Sequence, residues 1–173
     1  QRFFARILGK IANEGDFTPG KSPAAQLTIA PLGPVAHIYY NYPLSAQQLS
    51  ELAAALVAEA DVPAVLHRDT AGAIRVTTQT GEFSLLQNPV AVLGAEHPYV
   101  AAACEDLIAM CDHADAGTLI ALGCCPGEQA LSFAIESGAH GGSSIGETNA
   151  FAMVPQDINL TSKNVEGTHS LIR

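Results

Sequence analysis

The chain has 173 residues, 48% of them hydrophobic, with a formal net charge of −9 and a pI near 4.9. That length and apolar content suffice for a buried core in one domain or slightly more. The acidic balance excludes bulk electrostatic attraction to nucleic acid or to an anionic membrane, leaving only a local basic pocket for such partners. No window approaches the ~18 uninterrupted apolar residues of a membrane span. The amino-terminal Gln1-Arg2-Phe3-Phe4-Ala5-Arg6 lacks a signal peptide's apolar core and small-residue cleavage site. Without an initiating Met the chain is expected to be a processed or excised piece, and no compartment can be read from this end.

Phe3, Phe4, Ile7, Leu8 and Ile11 recur at helical spacing with Arg2, Arg6 and Lys10 between them, which predicts an amphipathic helix over residues 2–13. Residues 15–34 are rich in Pro and Gly and read as a linker or surface excursion, with one short apolar run at Leu27-Thr28-Ile29. Val35 to Tyr40 alternates as a strand does. Its His37, between apolar neighbours, is read as structural and not as a metal ligand. Ser45 and Gln48 form a capping-box pattern ahead of the apolar stripe Leu49, Leu52, Ala53, Leu56, Val57 and Ala60, so a helix is expected there. Three strands follow, at 64–68, 73–78 and 83–86, separated by Asp69-Thr70-Ala71-Gly72 and Gln79-Thr80-Gly81-Glu82, which have the composition of hairpin turns. The stripe at 49–60 has nothing else local to bury against. Residues 35–90 are therefore expected to form a small α+β accessory lobe with one helix packed on an antiparallel meander.

His97-Pro98 introduces a helix over 98–111, with Val100, Ala103, Cys104, Leu107, Ile108 and Cys111 on its buried face. The Asp112-His113-Ala114-Asp115 cluster invites a metal reading, but it follows a helix directly instead of a strand. Thr118 to Leu122 is a continuous apolar run, as in a strand covered on both faces. Strands are also expected at 130–135 and 150–154, and a last helix in the tail, whose His169 and Arg173 read as solvated. The four cysteines, Cys104, Cys111, Cys124 and Cys125, match neither a disulfide framework nor a common zinc spacing. They are expected to be mostly buried and unpaired. The alternative is a reactive thiol at Cys124 or Cys125 in the Gly-Cys-Cys-Pro-Gly turn.

The stretch on which chemistry turns is Gly138-Ala139-His140-Gly141-Gly142-Ser143-Ser144, between two apolar runs. Glycines around a histidine suit a loop that sets an imidazole at the rim of a sheet, open to a ligand or ion. A turn whose histidine only hydrogen-bonds the backbone fits the spacing as well. Gly138-Ala139-His140-Gly141-Gly142, followed by the strand-like Ala150-Phe151-Ala152-Met153-Val154-Pro155, resembles the last metal-binding motif of the alkaline phosphatase superfamily. The likeness is to its type I phosphodiesterase and nucleotide pyrophosphatase branch. Gly33 to Tyr40 resembles the strand that opens an accessory region in that branch, and Asp115-Ala116-Gly117 resembles its turn into a core strand.

The resemblance implies an α/β fold: a partial alkaline-phosphatase-like core sheet with helices, plus the small α+β accessory lobe. It divides the chain into an N-terminal helix and linker (1–34), the lobe (35–90) and the C-terminal part of the core (91–173). It implies that His140 is a metal ligand, with a divalent ion, zinc, as cofactor and a phosphodiester or nucleotide as substrate. Hydrolysis of that kind uses two ions about 4 Å apart, with a Thr or Ser nucleophile. This chain matches one ligand of such a site. The nucleophile strand and the Asp-His-Gly segment are expected upstream of Gln1, on a longer chain or a partner, leaving the chain inactive alone. The alternative is a non-catalytic α/β binding or assembly module.

Overall fold

The computed structural model describes residues 27–127, 130–133, 141–148, 153 and 155. The helix expected at 2–13, residues 134–135 of the strand expected at 130–135, all but residue 153 of that expected at 150–154, the tail helix and His140 itself lie outside the described residues. The architecture is α/β: one six-stranded sheet with helices on both faces. Its strands are β1 (Leu27–Leu32), β2 (Val35–Tyr40), β3 (Ala64–Arg68), β4 (Ile74–Thr78), β5 (Gly81–Ser84) and β6 (Leu119–Leu122), with spatial order β1-β2-β6-β3-β4-β5. All five pairings are antiparallel.

β1 corrects the reading of 15–34 as linker throughout. Leu27–Leu32 pairs with β2 along its whole length through the two-residue turn Gly33-Pro34, in which Gly33 adopts φ +67°. Pro31 and the neighbouring glycine masked the strand in the sequence. An edge strand tolerates proline because its outward N–H needs no ladder partner. The meander expected over 64–86 is present, with β3, β4 and β5 joined in order. Asp69 builds the first turn, its Oδ1 accepting from the N–H groups of Ala71 and Ala73, both at 2.9 Å.

α1 (Ala46–Ala60) packs on β3 and β4. Its N-terminus is closed by the reciprocal cap its sequence predicts: Ser45 Oγ accepts from Gln48 N at 3.2 Å, and Gln48 Oε1 accepts from Ser45 N at 2.9 Å. On the opposite face lie α2 (Val90–Leu93), which the sequence did not announce, and α3 (Val100–Asp112). α3 begins two residues later than expected, because the backbone around His97 and Tyr99 is still turning.

The core has two layers divided by the sheet. Leu52, Ala53, Leu56 and Val57 of α1 meet Ala36, Ile38, Val65, Leu119 and Ala121 on one face. Ala103, Cys104 and Leu107 of α3 meet Leu66, Val76, Ile120 and Leu122 on the other. β6 is buried at all four residues, which is why its sequence is apolar without alternation. Burying each such leucine or isoleucine contributes about 2 kcal/mol. β6 is hydrogen-bonded between β2 and β3. The sheet therefore joins strands from both sides of residue 90 in one ladder. No helix among the described residues is long and apolar enough to cross a membrane.

Candidate functional site

One end of the sheet gathers the segment that carries the candidate motif. Here the chain leaves β6 at Gly123, the Gly33-Pro34 turn joins β1 to β2, and residues 130–133 pass alongside. Gly123 N donates to Pro34 O at 2.7 Å, Leu131 N to Gly123 O at 2.6 Å and Phe133 N to Gly33 O at 2.8 Å. The described part of the strand expected at 130–135 is thus hydrogen-bonded to this end without joining the ladder.

Gly141–Thr148 docks on the same end. Gly142 lies so close to Pro34 that a Cβ added to it would sit 2.9 Å from Pro34 Cγ. Ser144 opens the single-turn α4 (Ile145–Thr148). Its hydroxyl donates to Glu147 Oε2 at 2.8 Å, and its carbonyl accepts from Glu147 N and Thr148 N at 3.1 and 3.0 Å. The Ser-x-x-Glu spacing of a helix start was visible in the sequence at 144–147 and marks what was expected to be loop.

His97 holds this segment, and sequence reasoning did not single it out. It is buried, at 4% exposure. Nδ1 accepts the Tyr99 N–H at 3.1 Å, so in the neutral ring the proton sits on Nε2, which lies 3.1 Å from Ser143 O and 3.4 Å from Thr148 Oγ1. Nε2–H donates to the Ser143 carbonyl. The imidazole is therefore a strut between the α2–α3 connection and the loop three residues beyond His140. Cys124 Sγ lies 3.8 Å from Ser143 Oγ and adds a weaker contact. The only sequence signal for this role was a histidine before a helix-breaking proline.

Beside the docked segment opens a cavity of about 450 Å³. Val92, Leu93, Pro126 and Ile145 give it apolar walls, and Glu96, Cys124 and Ser144 its polar points. It can hold an organic group. Two of the described polar groups beside it are already engaged: His97 has both nitrogens committed, and the Glu147 carboxylate takes the Ser144 hydroxyl. Burial pushes the Cys124 thiol up, the direction opposite to that of an activated thiolate. No disulfide joins any two of the four cysteines; Cys104 and Cys124 are buried, and Cys111 and Cys125 are half-buried. Burial also raises Cys104, and it pushes Cys111 to about 11.

The other described histidines, His37, His67 and His113, are placed elsewhere. At the opposite end of the sheet, His67, Arg68, Cys111, His113 and Thr118 line a cleft of about 290 Å³. Asp112 pairs with Arg68, and His113 Nδ1 accepts from Asp115 N at 3.1 Å. His37 Nδ1 accepts from Gly117 N at 3.1 Å, the structural role expected of it. Among the described residues no group of three His, Cys, Asp or Glu could hold a metal ion. The described residues alone thus do not fit a divalent ion.

Burial lowers the pKa of both His37 and His67 below the ordinary 6.5; the His113 charge adds to the effect on His37. For His67 the burial effect prevails over the opposing Glu82 carboxylate, and its Nδ1 has no partner among the described residues. A histidine held neutral by the fold contributes stability that is fully present above its unfolded pKa and is lost as pH falls from there through the folded pKa. Denaturation midpoints are expected to be level between pH 7 and 8 and to fall below about 6.5, before the carboxylates titrate. In His67→Leu the acid slope should be shallower. Equal wild-type midpoints at pH 7.5 and 5.5 would contradict this.

Comparison with known protein families, curated proteins and solved structures returns no match. The fold and site define an α/β chain with an antiparallel sheet whose glycine-rich segment is strapped to one end.

Proposed function

We propose that this chain is the carboxy-terminal portion of a metal-dependent phosphodiesterase or nucleotide pyrophosphatase-like hydrolase of the alkaline phosphatase superfamily. In this reading residues 91–173, with β6, belong to that enzyme's core and residues 35–90 to its accessory lobe, His140 supplies one ligand of a two-metal site, and the remaining ligands and the nucleophile lie on polypeptide outside these 173 residues. The observation that carries it is the docking of Gly141–Thr148 at the end of β6: Ser143 O is bonded to the buried His97, and Gly142 is pressed against Pro34. A ligand on a glycine-rich segment needs such an anchored backbone next to it, because loose backbone costs ordering entropy each time an ion binds. The adjoining cavity, with Glu96 and Ser144 in its lining, would take one organic arm of a diester. A bound pair of divalent ions supplies activation of the nucleophile and a clamp on the phosphoryl oxygens. The chain's own residues would anchor the backbone that follows His140, at 141–148, and wall one side of the substrate.

The test compares the 173-residue chain with a version extended upstream through a Thr-bearing strand and an Asp-His-Gly segment. Zinc content, intact mass and hydrolysis of a nucleotide diester are measured on both. The short chain should bind zinc weakly and hydrolyse essentially none, and the extended chain should do both. Enzyme-like hydrolysis by the short chain alone would overturn the assignment. A folded extended chain without zinc or hydrolysis would favour a non-catalytic binding or assembly module.

A further inference from the structure

The cleft at the start of β6, at the far end of the sheet from Gly141–Thr148, draws on both helical layers. Leu49 of α1 and Cys111 of α3 line it together with Leu66 and Ile120 of the sheet. Its polar lining is His67, Arg68, His113 and Thr118, and among the described residues no Asp or Glu lines it. The chain as a whole carries 17 acids against eight Lys and Arg.

His67 is 4% exposed, yet its Nδ1 has no hydrogen-bond partner among the described residues. A polar atom taken out of water without a partner is costly, and a ligand that supplies the partner recovers that cost. The groups beside it are donors. Thr118 Oγ1 accepts from Tyr40 N at 3.3 Å, which leaves the hydroxyl proton to donate. His113 Nδ1 accepts from Asp115 N, so its neutral ring carries the proton on Nε2. The Arg68 guanidinium is held by the carbonyls of Gly72 and Cys111, at 2.7 and 3.2 Å, and by the Asp112 carboxylate. Those bonds use three of its five N–H groups.

We propose that this cleft binds a small organic monocarboxylate, whose oxygens accept from the His67 ring, the Thr118 hydroxyl and the remaining Arg68 N–H groups and whose short apolar remainder lies against Leu49, Leu66 and Ile120. The size sets the class. Ligand cavities run from about 300 to 1,000 Å³, and the cleft's volume of about 290 Å³ suits an acid of a few carbons rather than a nucleotide. A carboxylate is preferred to a neutral carbonyl because its bonds to a guanidinium are charge-assisted. Asp112 already balances Arg68, so a single carboxylate, and not a dianion such as phosphate, is what these donors compensate. The cleft lies away from the segment on which the hydrolase reading rests, and the two stand or fall separately.

The experiment titrates sodium butyrate, butyramide and inorganic phosphate into the full chain near neutral pH, following backbone amide and imidazole nitrogen NMR shifts. Butyrate should give saturable shifts at residues 66–68, 111–113 and 116–120 and at the His67 ring, with the Gly141–Thr148 amides unmoved. Butyramide and phosphate should bind at least tenfold more weakly. His67→Leu, which replaces the unpartnered imidazole by an apolar group of similar size, and Arg68→Gln should each weaken butyrate tenfold or more. The three ligands are compared on the unsubstituted chain, so the outcome does not depend on how well either variant folds. No saturable shift with butyrate would overturn the proposal, as would butyramide binding equally well or a folded His67→Leu binding butyrate unchanged. Phosphate binding as tightly as butyrate would overturn it in favour of a general anion site, and shifts confined to Gly141–Thr148 would assign the acid to the other cavity.

Discussion

Gly123→Ala is expected to lower the unfolding free energy by roughly 3 kcal/mol or more, the range of severe overpacking of backbone against backbone. A Cβ at this position would stand 1.9 Å from Leu131 O and 3.2 Å from Pro34 Cα. Neither neighbour can rotate away, because both belong to main chain that is itself bonded to Gly123, through Leu131 N to Gly123 O at 2.6 Å and Gly123 N to Pro34 O at 2.7 Å. Accommodating the methyl group means separating the exit of β6 from the β1–β2 turn or from residues 130–133, and either movement breaks one of those bonds. For a chain of this length the loss corresponds to a fall in Tm of about 10 °C. Gly127→Ala is the contrast. Gly127 has φ +80° with nothing within 4 Å of an added Cβ, so only left-handed strain applies, costing about 1 kcal/mol. Urea denaturation of both variants decides the matter. Equal midpoints for Gly123→Ala and the wild type would mean that these three backbone segments do not cross as described.

In the chain extended upstream, His140→Ala is expected to lower kcat/KM for a nucleotide diester by about three orders of magnitude, equivalent to ~4 kcal/mol of transition-state stabilisation at 1.36 kcal/mol per decade. Removing a neutral imidazole from a metal leaves an open coordination position that water fills, weakening retention of the ion and its Lewis acidity together. Zinc content should fall alongside activity, and added zinc should restore only part of the rate. The anchoring of Gly141–Thr148 through His97 and Pro34 predicts that the fold is untouched, with the same Tm as the unsubstituted extended chain. Full activity in the variant would remove His140 from the site. A loss of activity accompanied by a large fall in Tm would assign His140 to structure.

Local signals in the chain were enough for the elements whose stabilising partners are near in sequence. The α1 capping box closes over three residues, and the stripe from Leu49 to Ala60 has the helical period. The β3–β4–β5 meander pairs each strand with the next, so apolar alternation and turn chemistry specify it. The continuous apolar run read at 118–122 announced a strand buried on both faces, and β6 is that strand at Leu119–Leu122. α2 was hidden because four residues are too few to show a period, and β1 because Pro31 and the nearby glycine look like linker until an edge position makes them harmless.

Tertiary structure alone decided which strands β6 would separate, and so that residues on both sides of position 90 share one ladder. An apolar strand states that it needs two neighbours without naming them. The candidate site divides in the same way. The glycines and the histidine of residues 138–142 were legible as a motif, whereas the strut that fastens the adjoining segment was not. His97 meets Ser143 across 46 positions of sequence. A hydrogen bond to a carbonyl requires only a proton in the right place and leaves no mark on the residue type of its acceptor. Its existence depends on the α2–α3 connection and the loop being brought to the same end of the sheet.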